Sequence, residues 1–248
     1  MIILSIFFFI TAILYSSVGF GGGSTYLALL LIWNVPYYIF PVIALLCNII
    51  VVSGNSFNYV KAGHHNFKLL IPFLIGSIPL AFLGGTLIID KEIFEILLFL
   101  VLSVAGILLL INIKAYEDKK IIIKKLNYFV SILIGSTLGL ISGIVGIGGG
   151  IFLSPILFLL KADKPKNIIT TASLFILINS ISGLMGQLTK ENILNEILLY
   201  YPLFISVFIG GLLGNFLNLK IFTNRLLALT TSLLVIFVAI RMGLKIFI

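Results

Sequence analysis

Two glycine clusters are the features of this sequence whose composition and spacing predict a binding site. Residues 19–23 read Gly-Phe-Gly-Gly-Gly and residues 146–150 read Gly-Ile-Gly-Gly-Gly, at an offset of 127 residues. Each glycine in a helix interior costs about 1 kcal/mol relative to alanine, so each cluster predicts a break in an apolar helix. A helix that restarts after the break presents unpaired N–H groups and a positive dipole end. The clusters therefore predict an anion site built from backbone.

Hydroxyl and amide side chains within the apolar stretches are the second set of candidate ligands. Asn48 and Asn179 lie in corresponding stretches at an offset of 131 residues, and an amide in mid-span is costly without a partner. Uncharged donors suit an anion whose charge is countered by helix ends. The alternative is that they join neighbouring helices by hydrogen bonds. The predicted substrate-binding residues are Gly19, Gly21, Gly22, Gly23, Ser24, Thr25, Asn48, Gly146, Gly148, Gly149, Gly150, Thr171, Ser173 and Asn179.

Other glycines recur every four residues and are interpreted differently. They are Gly135, Gly139 and Gly143 in one stretch, and Gly210 and Gly214 in another. Small residues at this spacing let two helix backbones approach closely, so we predict that these five serve packing. Close packing is also the alternative interpretation of the paired clusters.

The residues needed for catalysis are missing from the apolar stretches. All eight acidic residues lie in loops or close to one, and no stretch has a lysine or arginine near its centre. An intramembrane proton relay needs such a group, so carboxylate-based proton coupling is not expected. There is no Ser/His/Asp set, HExxH motif or nucleotide-binding motif, and His64 and His65 are interpreted as interfacial. We expect a protein that is not an enzyme, with no metal and no cofactor.

The composition places these features in a membrane. Hydrophobic residues make up 60% of the 248 residues, charged residues make up 10%, and the mean hydropathy is +1.27. A soluble domain carries roughly a quarter charged residues, so lipid must cover most of this surface. The net charge of +8 comes from lysines in short loops, which fits membrane topology rather than nucleic-acid binding, and the lone Cys47 excludes an intramolecular disulfide.

Apolar runs of helical length fill most of the chain. Runs 24–33 and 151–160 are about half the length of a span, and each follows a glycine cluster. The runs predicted as helices are 2–18, 24–33, 36–59, 67–89, 93–113, 126–145, 151–160, 168–188, 195–219 and 222–247.

The order of these runs predicts an internal duplication. Pro72 corresponds to Pro202 and Gly84 to Gly214, both at an offset of 130 residues and in the same order as the clusters. We assign residues 1–113 to transmembrane repeat 1, 114–125 to a basic cytoplasmic linker, and 126–248 to transmembrane repeat 2 of a single membrane domain.

The loop charges predict that the two repeats are inserted in opposite orientations. Residues 34–35 are uncharged, whereas the corresponding loop 161–166 has three lysines. Lys61 and Lys68 flank the next loop, whose counterpart has only Lys190. Since positive residues mark cytoplasmic loops, the linker is expected in the cytoplasm and both termini outside the cell membrane. The predicted fold is all-α and polytopic, with two inverted-topology repeats, each with a short broken or re-entrant helix after its cluster.

The segment around the second cluster also carries a family resemblance. Residues 146–157, Gly-Ile-Gly-Gly-Gly-Ile-Phe-Leu-Ser-Pro-Ile-Leu, with a weaker repeat one half earlier, resemble the sulfite exporter TauE/SafE family. The resemblance implies an inner-membrane permease for small sulfur-containing anions such as sulfite or organosulfonates, with the glycine clusters as substrate-site backbone. The chain departs from the pattern in having Ala28 where the second half has Pro155, and Thr171-Ala172-Ser173 where the family has an adjacent Thr-Ser pair.

The functional hypothesis is a permease that moves a small anion by alternating access between the two repeats. The alternatives left open are a small-solute channel of the same architecture, and a membrane-embedded enzyme or assembly factor. The expected partners are the anion and the lipid bilayer, without nucleic acid. The sequence leaves the oligomeric state open, a homodimer included.

Overall fold

The computed structural model describes residues 1–17, 19–111, 123–190 and 196–218, together with 232–233, 236–237, 239–240 and 243–244. The regular elements in these ranges are helices, and no strand occurs in them. The α-helices described are α1 (Ile2–Ser16), α2 (Gly23–Ile32), α3 (Phe40–Lys61), α4 (Phe67–Thr86), α5 (Lys91–Ile111), α6 (Tyr128–Val145), α7 (Gly150–Leu159), α8 (Pro165–Gln187) and α9 (Tyr201–Asn218).

The predicted all-α fold is confirmed. Two 3-10 turns precede α3 and α9, at Tyr37–Ile39 and Leu198–Tyr200. Most of the predicted linker 114–125 and of the predicted run 222–247 lies outside the described residues.

The described helices have the length and surface of membrane spans. Those long and apolar enough to cross a membrane are Tyr37–Lys61, Phe67–Thr86, Tyr128–Val145, Pro165–Gln187 and Leu198–Leu217. Their outward faces carry large exposed apolar side chains, among them Ile71 and Ile75 on α4 and Phe129 and Leu133 on α6. Such a surface is stable against lipid hydrocarbon, and helices satisfy their own backbone there. The protein is therefore a multi-pass membrane protein, as predicted.

The short helices α2 and α7 each follow a glycine cluster. Their N-cap residues, Gly22 (φ 86°) and Gly149 (φ 75°), adopt the left-handed conformation that favours glycine. α2 runs antiparallel to α1. In the contacts between the two helices, residue numbers fall on α1 as they rise on α2. The contacts are Tyr15 with Thr25 (hydroxyls 2.6 Å apart), Phe8 with Tyr26 (ring centroids 4.7 Å) and Phe7 with Trp33 (5.5 Å). α1 and α2 form an antiparallel hairpin.

Glycines bring two pairs of helices into backbone contact. A Cβ atom at any of the five glycines predicted to serve packing would meet a backbone carbonyl oxygen of the facing helix. The pairs are Gly135 with Phe73, Gly139 with Ser77, Gly143 with Ala81, Gly210 with Phe9 and Gly214 with Ile13. The packing prediction is confirmed. Since the residue numbers in these pairs rise together, α6 is parallel to α4, and α9 is parallel to α1.

α3 and α8 form the centre of the bundle and run in opposite directions. Leu45 lies against Gly183, and the Ser56 and Ser173 hydroxyls are 3.1 Å apart, so residue numbers fall on α8 as they rise on α3. α3 packs against α2 and α9, and α8 packs against α4, α6 and α7. Each central helix is therefore surrounded by helices from both halves.

Candidate functional site

The two glycine clusters meet at the side chain of Asn48. Asn48 lies on α3 and is fully buried. Its Nδ2 donates hydrogen bonds to the backbone carbonyls of Ile147 (3.1 Å) and Gly146 (3.5 Å), which belong to the second cluster. A buried amide therefore joins the centre of the first half to the broken backbone of the second.

The first cluster lies against the same amide. A Cβ atom at Gly23 would be 2.8 Å from Asn48 Nδ2, and one at Gly21 would overlap Asn48 Oδ1. From the other side, a Cβ atom at Gly148 would lie 3.0 Å from Asn48 Nδ2. Only glycine permits this close an approach, which explains why both clusters have glycine at the residues that face Asn48. We call this region the junction: Gly21, Gly23, Asn48, Ile147 and Gly148.

α2 begins at the junction, and α7 begins close to it. Gly23 starts α2 and contacts the amide of Asn48, while Gly150 starts α7 two residues after Gly148. The first N–H groups of a helix have no acceptor within it, and each helix end carries about half a positive elementary charge. Two such ends amount to about one positive charge, supplied by backbone alone.

Ionised side chains lie away from this region. Within the described spans and α5, the charged residues are confined to the first two turns or the last turn. They are Lys61, Lys68, Lys91, Glu92, Glu95 and Lys166. Within the described part of the chain, the groups at the junction are therefore helix ends and uncharged polar groups.

Several buried polar atoms have no hydrogen-bond partner among the described residues. Buried polar groups are bonded in the great majority of cases, so each such atom indicates a ligand, a water or local strain. Those near the clusters in space or sequence are Ser24 Oγ, Asn48 Oδ1, Ser142 Oγ, Ser154 Oγ, Thr171 Oγ1, Asn179 Oδ1 and Ser180 Oγ. The hydroxyls among them can donate to an anion.

Other predicted site residues are buried but already bonded. Their side-chain hydrogen bonds are Thr25 with Tyr15 (2.6 Å), Ser173 with Ser56 (3.1 Å) and Asn179 Nδ2 with the Phe175 carbonyl (2.8 Å). Gly19 lies against Ile169 and Tyr59 instead of Asn48. Gly22 and Gly149 act as the N-caps of the short helices, away from the amide.

The two halves are not chemically equivalent at the junction. Gly21 and Gly23 both contact Asn48, whereas of their counterparts only Gly148 does so, and both Gly148 and Gly150 also contact Ile176. The sequence offset had paired Asn48 with Asn179, which lies nearly one helical turn further along α8. The amide of Asn179 instead donates within its own helix, to Phe175. The first cluster therefore meets the amide of Asn48, while the second cluster meets Ile176 and Ser180 of α8 as well.

Ser180 and Ile147 were not predicted as site residues. Ser180 Oγ lies 2.9 Å from where a Cβ atom at Gly148 would be, and it is unpartnered. It follows Ser173 by seven residues, which is two helical turns, so helical periodicity indicates that both lie on one face of α8. Ile147 contributes only its carbonyl, and a side-chain pattern gives no signal for a backbone acceptor.

A small cavity lies at one end of the bundle, beside a residue that packs against the second cluster. Its volume is ≈ 70 Å³, and its lining includes Pro41, which lies against Gly146, together with Gln187 and Lys190. Lys190 Nζ donates to Gln187 Oε1 (2.8 Å), and Gln187 Nε2 donates to the Gly143 carbonyl (2.8 Å). Partial burial lowers the pKa of Lys190. Asn48 and Ser180 remain fully buried, so the junction is closed to both ends.

A bundle of apolar spans with two broken helices around a buried polar centre defines a polytopic membrane protein of the transporter class. The sulfite exporter TauE/SafE profile matches residues 4–242, so the chain belongs to this family. It is accordingly a membrane permease, which confirms the resemblance noted in the sequence.

Curated relatives carry transporter names. The chain is 27% identical to "Probable membrane transporter protein y4hK" of Sinorhizobium fredii, over 93% of each chain. It is 30% identical to "Probable membrane transporter protein MJ0441" of Methanocaldococcus jannaschii, over 74% of this chain and 70% of the relative. It is 22% identical to "Probable membrane transporter protein YunE" of Bacillus subtilis, over 89% of each chain. No solved structure matches the chain significantly.

Proposed function

We propose that this permease carries a small sulfur-containing anion, such as sulfite or an organosulfonate, across the cytoplasmic membrane by alternating access. The observation that carries the proposal is the position of two helix N-termini: that of α2 lies at the buried junction around Asn48, and that of α7 lies close to it. About one positive elementary charge from helix ends, without an ionised side chain, suits a compact anion. The family profile, which is that of sulfite exporters, supports the substrate class.

The directions of the helices support two inverted repeats. α3 and α8 occupy equivalent positions in the two halves and run in opposite directions. α1 pairs with α9 in the way that α6 pairs with α4, and each pair joins one helix from each half. Two copies of one unit, inserted in opposite orientations, give such mixed helix pairs. Relative movement of the two units exposes a central site to alternate sides of the membrane. The proposed topology puts the basic linker in the cytoplasm and both termini outside.

The closed junction favours a carrier over an open channel. Asn48 and Ser180 are fully buried, so a solute cannot pass without movement of the helices around them. In a carrier, binding on one side is coupled to exchange with solute on the other. A channel conducts without that exchange.

Counterflow in proteoliposomes tests the proposal. Vesicles loaded with unlabelled sulfite under anaerobic conditions are expected to accumulate labelled sulfite transiently, and external sulfoacetate or thiosulfate is expected to compete. A flux that neither saturates nor shows counterflow indicates a channel. Competition by a cation or a neutral sugar, with no effect of any anion, contradicts the anion site. Asn48→Asp, which puts a negative charge at the junction, is expected to abolish uptake.

A further inference from the structure

A second cavity, lined by lysines and apolar side chains, lies at one end of the bundle, and none of its lining residues belongs to the junction. Its volume is ≈ 270 Å³ and it lies between the first turns of α4 and α6. Three lysines line it, namely Lys68, Lys124 and Lys125. Three positive side chains around one cavity indicate an anionic ligand with a charge and size beyond those of a single carboxylate.

The position of this cavity corresponds to the headgroup layer of a membrane. α4 and α6 are parallel spans, so both begin at the same membrane face. Their N-caps are side-chain oxygens, with Asn66 Oδ1 accepting from Leu69 N (3.2 Å) and Asn127 Oδ1 accepting from Phe129 N (2.9 Å). The positive ends of two helix dipoles therefore point toward the space that the lysines surround.

Among the described residues, no acid neutralises the three lysines. Within the described part of the chain they make no ion pair, and no acidic residue lines the cavity. The neighbouring Asp163 carboxylate is buried, and it accepts hydrogen bonds from Asn66 Nδ2 (2.7 Å), the Lys164 N–H (2.7 Å) and Asn167 Nδ2 (3.1 Å). The segment that carries Lys124 is held in place, since Lys124 N donates to the Lys161 carbonyl (3.0 Å).

The surface beside the cavity is apolar and faces lipid. Ile71 and Ile75 on α4, with Phe129 and Leu133 on α6, are exposed along the two helices that form the cavity walls. A free phosphate ion would gain nothing from these side chains. A phospholipid would use both the lysines and the apolar faces at once.

We propose that this cavity binds the phosphate of an anionic phospholipid, whose acyl chains lie against the exposed faces of α4 and α6. Basic pockets between spans at a membrane face recognise anionic headgroups by charge. Because α4 belongs to the first half of the chain and α6 to the second, the bound lipid bridges the two halves at their parallel interface.

Native mass spectrometry of the purified full-length protein in detergent tests this site. The probes are phosphatidylglycerol, phosphatidylcholine and inorganic phosphate, each titrated separately. The wild type is expected to bind one phosphatidylglycerol tightly. Each lysine near an anionic lipid contributes roughly fivefold in affinity, so Lys68→Gln/Lys124→Gln/Lys125→Gln is expected to weaken binding about a hundredfold. If that variant does not fold, Lys68→Gln alone is expected to weaken it roughly fivefold.

A matched variant separates this cavity from general surface charge. Lys61→Gln/Lys164→Gln/Lys166→Gln removes the same charge from exposed lysines at the same end of the bundle, outside the cavity, and is expected to leave binding within about threefold of wild type. Equal losses in the two triple variants contradict the site. Equal affinity for phosphatidylcholine, or displacement of the lipid by inorganic phosphate, overturns the assignment to an anionic phospholipid.

Discussion

The side-chain amide of Asn48 donates to the backbone carbonyl of Ile147, 3.1 Å away, and so ties the central helix of one half to the broken backbone of the other. This bond places the two glycine clusters on either side of one buried amide. Its acceptor lies in a segment that no regular helix stabilises, because α6 ends at Val145 and α7 begins at Gly150. Asn48 is therefore a positioning residue for the broken backbone, and its amide oxygen, Oδ1, has no hydrogen-bond partner within the described ranges.

Asn48→Ala is expected to destabilise the protein and stop transport. The substitution removes the Nδ2 donor from the backbone carbonyls of Ile147 (3.1 Å) and Gly146 (3.5 Å). A buried acceptor that loses its donor costs about 1–3 kcal/mol of stability. Thermal unfolding in detergent and counterflow measure the two effects. Asn58→Ala is the control, because Asn58 donates to Asn215 (3.2 Å) in a half-buried setting and is expected to cost under about 1 kcal/mol. Equal losses in both variants would contradict a special role for Asn48.

Ser180→Ala is expected to separate binding from folding. The Ser180 hydroxyl is buried without a partner, so its removal is expected to leave stability unchanged or slightly raised. If the hydroxyl donates to the anion, the KM for uptake rises by about tenfold, the effect of one lost hydrogen bond to a charged group. Ser103→Ala removes a hydroxyl bonded to the Phe99 carbonyl (2.8 Å) on α5 and serves as the control with unchanged KM. An unchanged KM in Ser180→Ala removes this residue from the site.

Gly148→Ala is expected to be more harmful than the same change at Gly63. Both glycines have positive φ, at 79° and 76°, so each substitution costs about 1–2 kcal/mol from the backbone. A Cβ atom at Gly63 meets nothing within 4 Å, whereas one at Gly148 would lie within 3.0 Å of Ile176, Ser180 and Asn48. The overlap adds about 1–3 kcal/mol and displaces the cluster. Measuring the unfolding midpoints and the uptake of the two variants side by side isolates this packing contribution. Similar values for both variants would show that the junction is loosely packed.

The sequence predicted the local features of the site well, because they depend on local backbone properties. The two glycine clusters were predicted to break helices, and α2 and α7 begin at Gly23 and Gly150, within one residue of the predicted runs. The five packing glycines were also predictable, since a spacing of four residues puts them on one helix face. In each case the relevant information lies within a few residues of chain.

The register of α8 against the second cluster could not be read from the sequence. Asn179 corresponds to Asn48 in the order of residues, but Ile176 contacts the cluster. A shift of three residues changes nothing in local helix propensity. It is decided by tertiary contacts of α8, such as the hydrogen bond from Ser182 to the Ile78 carbonyl (2.6 Å). For the same reason, the contact of Ser180 with Gly148 could not be predicted from the sequence.

Gly139→Ala is expected to separate α4 from α6. A Cβ atom at Gly139 would overlap the Ser77 carbonyl, and a backbone cannot move aside as a flexible side chain does, so we expect a loss of about 1–3 kcal/mol. Gly211→Ala is the matched control within α9, where the nearest atoms, on Val51, lie at 3.6 Å. There the higher helix propensity of alanine is expected to raise stability by up to about 1 kcal/mol. Loss of stability in both variants, measured by thermal unfolding, would show that the α4–α6 contact is not special.

Lys190→Gln is expected to change the pH dependence of stability in alkaline solution. Burial lowers the pKa of Lys190 in the folded protein, so between this value and the ordinary lysine pKa the unfolded chain binds more protons than the folded one. Stability of the wild type therefore rises with pH across that window, relative to Lys190→Gln, which has no such proton to lose. Thermal unfolding of both proteins, measured from neutral to alkaline pH, gives the difference in stability between them at each pH. Contributions from all other groups cancel in this difference. A flat difference between the wild type and Lys190→Gln would show that the Lys190 ammonium stays hydrated in the folded protein.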